Sequence, residues 1–260
     1  MSCKIYGMIH LQALPGTPKN RHTVKEIRDR AVEEAELLIR NGVDGIIIEN
    51  MHDIPYLNRQ VGPEIVSSMT VVANAIRLAF PKAVIGIQVL AGANKEALAI
   101  AHSSQLDFIR AEGFVFSHVA DEGLMHSDAA ELLRYRKMIG ADDIKVYCDI
   151  KKKHSAHTIT SDVSIAETAM AAKFFLSDGL ILTGSSTGVA TSVEELKTLR
   201  ALNTGLPILI GSGVTEANVQ YYLKDADILI IGSHFKKDGI WSNPLDEQRI
   251  RSFMNLLRNP

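Results

Sequence analysis

Two short apolar runs near the end of the chain, PILI (207–210) and DILII (227–231), carry no polar alternation. Each stops at a glycine–serine turn, Gly211-Ser212-Gly213 and Gly232-Ser233. Unalternated runs of this length suit strands buried on both faces, as in a parallel sheet covered by helices. Between them a helix-sized segment opens at Thr215-Glu216, a capping residue with an acidic group in the first turn. The spacing therefore predicts strand, Gly-rich turn, helix, strand, Gly-rich turn over 205–235. A chain made of such units is confined to the parallel α/β folds.

The same unit recurs upstream. Predicted strands cover 5–11, 43–50, 83–90, 107–113, 144–151 and 178–184, and helices follow at 24–41, 64–79, 94–103, 127–139, 163–176 and 192–203. The first of these helices places Val24, Ile27, Ala31, Ala35 and Leu38 on one face and ends at Asn41-Gly42, and a last helix covers 246–257. Eight strand–helix pairs at intervals of roughly 30 residues predict an α/β (β/α)8 TIM barrel. An open doubly wound sheet would want a GxGxxG turn after the first strand, and GMIHLQALPG does not supply it. With no linker and no low-complexity tract, one barrel domain over 1–260 is expected.

Composition narrows the partners. A formal net charge of −2 gives no nucleic-acid surface. Cys3 and Cys148 are too isolated for a disulfide framework or a thiolate zinc site. No apolar run reaches the roughly 20 residues of a membrane span. The opening MSCKIYGMIHL enters a strand almost at once, so a cytoplasmic location is expected. A homo-oligomer is compatible with all of this.

In parallel barrels chemistry sits at the carboxyl ends of the strands. Strand one ends in His10 and strand two in Glu49-Asn50. Strand three carries Gln88, strand four Arg110 and Glu112, and strand five Asp149 and Lys151 with His154 just beyond. Glu49 follows three isoleucines, where an unpaired carboxylate is costly to bury. Residues two apart in a strand share a face, so Asp149 and Lys151 are expected side by side, either as a plain ion pair or as a pair that tunes the lysine for proton transfer. Arg110 and Glu112 have the same two readings. His118, His126 and His157 fall in loop-like segments. The expected acid–base groups are Glu49, Asp149, Lys151 and His154, and the expected substrate contacts are His10, Asn50, Gln88, Arg110 and Glu112.

Glycines let a backbone approach an anion, and barrel enzymes often hold phosphate in the loops after their last two strands. The expected phosphate site is therefore Gly184, Ser185, Gly211, Ser212, Gly213, Gly232 and Ser233, with charge added by His234 or Lys236. No metal is expected, because strand one lacks a His-x-His pair and strand eight ends in no aspartate. No cofactor is expected either. A magnesium ion held by Glu49 or Glu112 through a substrate phosphate stays open.

Along nearly its whole length the chain resembles the BtpA family, (β/α)8-barrel proteins named for a factor in photosystem I biogenesis. The resemblance rests on MIHLQALPGTP, GVDGIIIEN, GPEIVSSMT, DAAELLRYRKMIGA, DIKKKHSAH, LTGSSTGVAT, LIGSGVTEANV and IGSHFKKDGIWSNPLD. HVADEG with DIKKKHS looks like the non-photosynthetic branch. QVLAGAN (88–94) departs from the more polar run of many relatives, which speaks against a substrate loop after strand three. The turns after strands seven and eight also look like those of the tryptophan synthase α subunit and the phosphoribosyl isomerases, which bind phosphate esters. The expected function is an enzyme acting on a small phosphorylated metabolite, a sugar or nucleotide phosphate. The alternative that the resemblance implies is an assembly or stability factor without turnover.

Overall fold

The structure is a computed structural model that describes residues 3–152, 154–184 and 189–258. Eight parallel strands are β1 (Lys4–His10), β2 (Gly45–Glu49), β3 (Val84–Gln88), β4 (Phe108–Ala111), β5 (Lys145–Lys151), β6 (Gly179–Leu182), β7 (Ile208–Ile210) and β8 (Ile228–Ile231). Each pairs with its successor in the chain, and β8 returns to β1 in the register Lys4↔Ile228 to Gly7↔Ile231. The sheet is closed, as the eightfold repeat predicts, and the open doubly wound alternative is excluded.

Helices α1 (Val24–Arg40), α2 (Pro63–Ala79), α3 (Asn94–Ser103), α4 (Ala129–Met138), α5 (Ile165–Phe174) and α6 (Val193–Ala201) follow the first six strands, and α7 (Glu247–Arg258) ends the described chain. Capping boxes start α1 (Thr23 with Glu26) and α5 (Ser164 with Glu167). Each such cap contributes about 1 kcal/mol. The helix expected after β7 is absent: the segment forms only a 3-10 turn, Val219–Tyr221. The Asn218 side chain accepts from the Thr215 N–H at 2.8 Å and donates to the Gly213 carbonyl at 2.8 Å. An asparagine that bonds its own backbone in this way competes with helix formation.

Strand alternation decides what fills the barrel. Tyr6, Met8, Ile47, Phe108, Ile181, Leu209, Ile228 and Ile230 form one interior cluster. Phe108 is sandwiched between Tyr6 and Tyr147 with centroids 5.6 and 5.0 Å away. A Cβ at Gly86 would lie 2.2 Å from the Phe108 ring, so that ring fits only because β3 has a glycine there. The next residues of the same parity, one layer up, are His10, Glu49, Gln88, Arg110, Asp149, Thr183, Gly211 and Gly232. The lower barrel is thus an apolar plug and its carboxyl end a polar layer.

The loops after β4 and β5 form a small antiparallel sheet from residues 118–120, 123–125 and 155–156. His118 therefore lies in a strand rather than a loop. No helix among the described residues is long and apolar enough to cross a membrane.

Candidate active site

The polar layer contains ion pairs and one imidazole–carboxylate contact. His10 sits opposite Glu49 in the β1–β2 register, and its Nε2 is 3.5 Å from Glu49 Oε2. On the far side its Nδ1 meets the Trp241 carbonyl at 3.1 Å. A carbonyl only accepts, so Nδ1 carries the proton. Nε2 then faces Glu49 either as the lone pair of a neutral ring or as the second N–H of an imidazolium. Both side chains are nearly buried, at 6% exposure each. This pairing of an oriented imidazole with a buried carboxylate can move a proton.

Arg110 pairs with Asp149 rather than with Glu112. Its Nε and Nη2 donate to Oδ2 and Oδ1 at 3.2 and 3.0 Å, with the side chains 3% and 0% exposed. Burial opposes the guanidinium charge, but Asp149, Glu49 and Glu112 outweigh it and hold the Arg110 pKa above its ordinary value. Glu112 accepts instead from Gln88 Nε2 at 2.9 Å, and burial raises its carboxyl pKa.

The expected Asp149–Lys151 pair does not form in this way. A register irregularity between Asp149 and Lys151 breaks the alternation, and Lys152 enters the polar network. Lys152 Nζ lies 3.4 Å from Glu112 Oε2 and 3.6 Å from Glu122 Oε2. Lys151 lines a side crevice, and His154 is exposed with a φ of 53°. Asn50 is committed to the loop, donating to Asp53 Oδ2 at 2.8 Å and accepting from the Leu90 N–H at 2.7 Å.

Beside His10 and Glu49 opens a cavity of about 150 Å³, whose wall includes Arg110, Gly211-Ser212-Gly213, Gly232-Ser233-His234 and Arg249. The loops after β7 and β8 thus meet at one recess. The N–H groups of Gly213, Ser233 and His234 bond to no acceptor among the described residues. Arg249, from the first turn of α7, donates to the His234 carbonyl at 2.7 Å and to His234 Nδ1 at 3.3 Å. That bond leaves the His234 proton on Nε2, and burial and the Arg249 charge lower its pKa, which favours the neutral ring. Together, backbone donors and a guanidinium converge on a space suited to an anion.

Three details differ from the expected phosphate site. Lys236 turns away from the loops and pairs with Glu34 at 3.2 Å, 1% exposed, so the added cation is Arg249. The Gly184 N–H is taken by Ser212 Oγ at 2.8 Å, and Gly184 does not line the cavity. Gly213 has a φ of 70° and a Cβ there would lie 2.1 Å from the Val189 carbonyl, so its glycine is required by the backbone whatever binds nearby. Ser185 lies outside the described residues. Of the other expected substrate contacts, Gln88 and Glu112 bond to each other and do not line the cavity, and Asp149, expected as an acid–base group, is bound to Arg110 and does not line it either. Among the described residues no group of three His, Cys, Asp or Glu side chains is placed to hold a metal ion.

Sequence reasoning missed Trp241, Lys152 and Arg249. Only Arg249 left a signal, since a cation in a helix's first turn stands against the helix dipole and asks for another reason to be there.

Residues 1–259 match the BtpA family. An uncharacterized mitochondrial protein of Caenorhabditis elegans is 50% identical over 254 residues, covering 96% of this chain and 91% of its own. The photosystem I biogenesis protein BtpA of Synechocystis is 32% identical, covering 97% and 87%. Among solved structures, phosphoribosyl anthranilate isomerase from Thermus thermophilus superimposes with a TM-score of 0.61 at 15% identity, covering 98% of each chain. Orotidine 5'-monophosphate decarboxylase from Methanocaldococcus jannaschii gives 0.62 at 15%, covering 99% of each. At that identity these two likenesses establish the barrel fold and nothing finer.

Proposed function

The chain belongs to the BtpA family, and from that premise we propose that it is an enzyme, one barrel domain acting on a small phosphorylated metabolite by acid–base chemistry. One observation carries this reading: the open amides of Gly213, Ser233 and His234, the Arg249 guanidinium and the His10–Glu49 pair border the same cavity. A phosphate held against the β7 and β8 loops puts the rest of the molecule over His10 and Glu49. In this reading Glu49 and His10 exchange protons with the substrate, and Trp241 fixes the tautomer. Asp149 holds Arg110 so that the guanidinium faces the ligand. Lys151 and His154 lie off the cavity and take no part. The two structural neighbours named above carry names of phosphate-bearing compounds, which agrees with this reading. The sequence-based compartment is the cytosol, while the worm relative's name favours the mitochondrion.

Calorimetric titration of inorganic phosphate into the protein and into Arg249→Gln tests the anion half. A charge-assisted hydrogen bond contributes about 1.5–3 kcal/mol, so the variant loses at least about tenfold in affinity. Equal affinity in two folded proteins removes Arg249 from the site. No phosphate binding to the unaltered protein sinks the reading and leaves the non-catalytic assembly factor standing.

A further inference from the structure

A recess of about 460 Å³, larger than the mouth cavity, opens at the opposite end of the barrel. Its walls come from the first residues of β1, β7 and β8 (Lys4, Ile208 and Ile228) and from the 203–207 loop that joins α6 to β7. Ligand pockets generally occupy about 300–1,000 Å³, and barrel enzymes keep their chemistry at the carboxyl ends of the strands. The recess thus has the size of a ligand site and the position of a non-catalytic one.

Two phenols set its chemistry. Tyr6 and Tyr147, the outer rings of the stack around Phe108, both line it. The neighbouring strands make room for them: a Cβ at Gly45 would lie 2.8 Å from the Tyr6 ring, and one at Gly179 would lie 2.6 Å from that of Tyr147. Tyr6 is 4% exposed, yet neither phenol hydroxyl bonds to another described residue. Neither oxygen is sealed in the interior, so each opens onto the recess that its ring lines. A buried tyrosine hydroxyl usually finds a partner, and phenylalanine would fill the same room with no hydroxyl to satisfy.

The surroundings select the occupant. Burial raises the Tyr6 pKa to about 12, with Tyr147, Asp44 and Asp107 adding to it, and burial with Asp178 and Asp107 raises that of Tyr147. Both phenols keep their protons at neutral pH and can donate, while the same carboxylates disfavour an anion beside them. A cation finds no free carboxylate in the recess, because Asp227 is committed to Arg200 and to the Ile208 N–H, each at 2.8 Å. Leu206, Pro207 and Ile228 add apolar wall.

We infer that this recess is a second ligand site, built for a neutral molecule of one or two rings that carries carbonyl acceptors. The rings pack on the apolar wall, and the acceptors take the hydrogen bonds of Tyr6 and Tyr147. The apolar plug of the lower barrel lies between this site and the polar layer of His10 and Glu49. Its ligand therefore takes no part in the reaction, and the inference stands apart from the phosphate reading.

The test titrates benzamide, benzoate and benzylamine into the protein by calorimetry. Benzamide should bind at least about fivefold more tightly than either charged analogue, because the carboxylates repel benzoate and benzylammonium has no acceptor for the phenols. Tyr6→Phe combined with Tyr147→Phe should weaken benzamide by at least about fivefold, which is one hydrogen bond of about 1 kcal/mol, with circular dichroism as the folding control. In protein with isotopically labelled tyrosine, the ring signals missing from each single variant identify Tyr6 and Tyr147, and benzamide should shift them in the unaltered protein. If the double variant does not fold, that shift decides. No benzamide binding, binding that leaves both signals in place, equal affinity in a folded double variant, or a charged analogue binding as tightly as benzamide overturns the inference.

Discussion

Replacing Arg110 with methionine strands Asp149. The carboxylate is fully buried and loses two charge-assisted hydrogen bonds, at 3.2 and 3.0 Å. Breaking a buried pair from one side costs about 3–5 kcal/mol, a large part of a domain's typical stability of roughly 5–15 kcal/mol. Removing both partners is different. Arg110→Met with Asp149→Leu leaves no orphan from the pair, and apolar replacements of buried pairs are often neutral. Here recovery is incomplete, because Glu49 and Glu112 also lie in the guanidinium's field and lose it. The double variant should therefore be more stable than Arg110→Met by about 2 kcal/mol and still less stable than the unaltered protein. The assay is guanidinium denaturation at pH 7, followed by circular dichroism. A double variant no more stable than Arg110→Met would refute the argument that desolvation of Asp149 dominates. Arg110 also lines the cavity, so the double variant should stay folded and bind a phosphate ester more weakly, separating the pair's structural part from its ligand contact.

Two further outcomes follow from buried charges. Glu34→Gln leaves Lys236 buried without its carboxylate, so stability should fall by roughly 3 kcal/mol while the phosphate affinity stays unchanged; a clear loss of affinity would return Lys236 to the anion site. Burial, then the Lys152 charge, lowers the His118 pKa from 6.5 to about 4. Between those values the unfolded chain binds the proton more strongly, so this contribution to stability is present above pH 6.5 and is lost as pH falls toward 4. Urea denaturation at pH 7 and pH 5 should show a smaller drop for His118→Asn than for the unaltered protein, and equal drops would count against a buried neutral imidazole.

The eight strands, seven of the eight helices and the closed sheet were legible in the chain. Apolar runs such as Ile46-Ile47-Ile48 have few other places to go than a strand covered on both faces. Alternation also placed His10, Glu49, Gln88, Arg110 and Asp149 in one layer, because a period of two is fixed by backbone geometry. That reasoning ends where the period breaks. The irregularity after Asp149 exchanged Lys151 for Lys152, and nothing in DIKKKH distinguishes one lysine from the next. The missing helix after β7 turned on Asn218 bonding its own loop, a local competition that residue spacing does not record. Partners distant in the chain lay further beyond reach: Arg110 joined Asp149 and not its near neighbour Glu112, Lys236 joined Glu34, and Trp241 and Arg249 reached the mouth from the last loop and helix. Local sequence determined the elements and the face each residue takes, because those follow from backbone periodicity. The choice of partner for each buried charge belonged to the tertiary structure, because it depends on which groups barrel closure brings within reach and deprives of water.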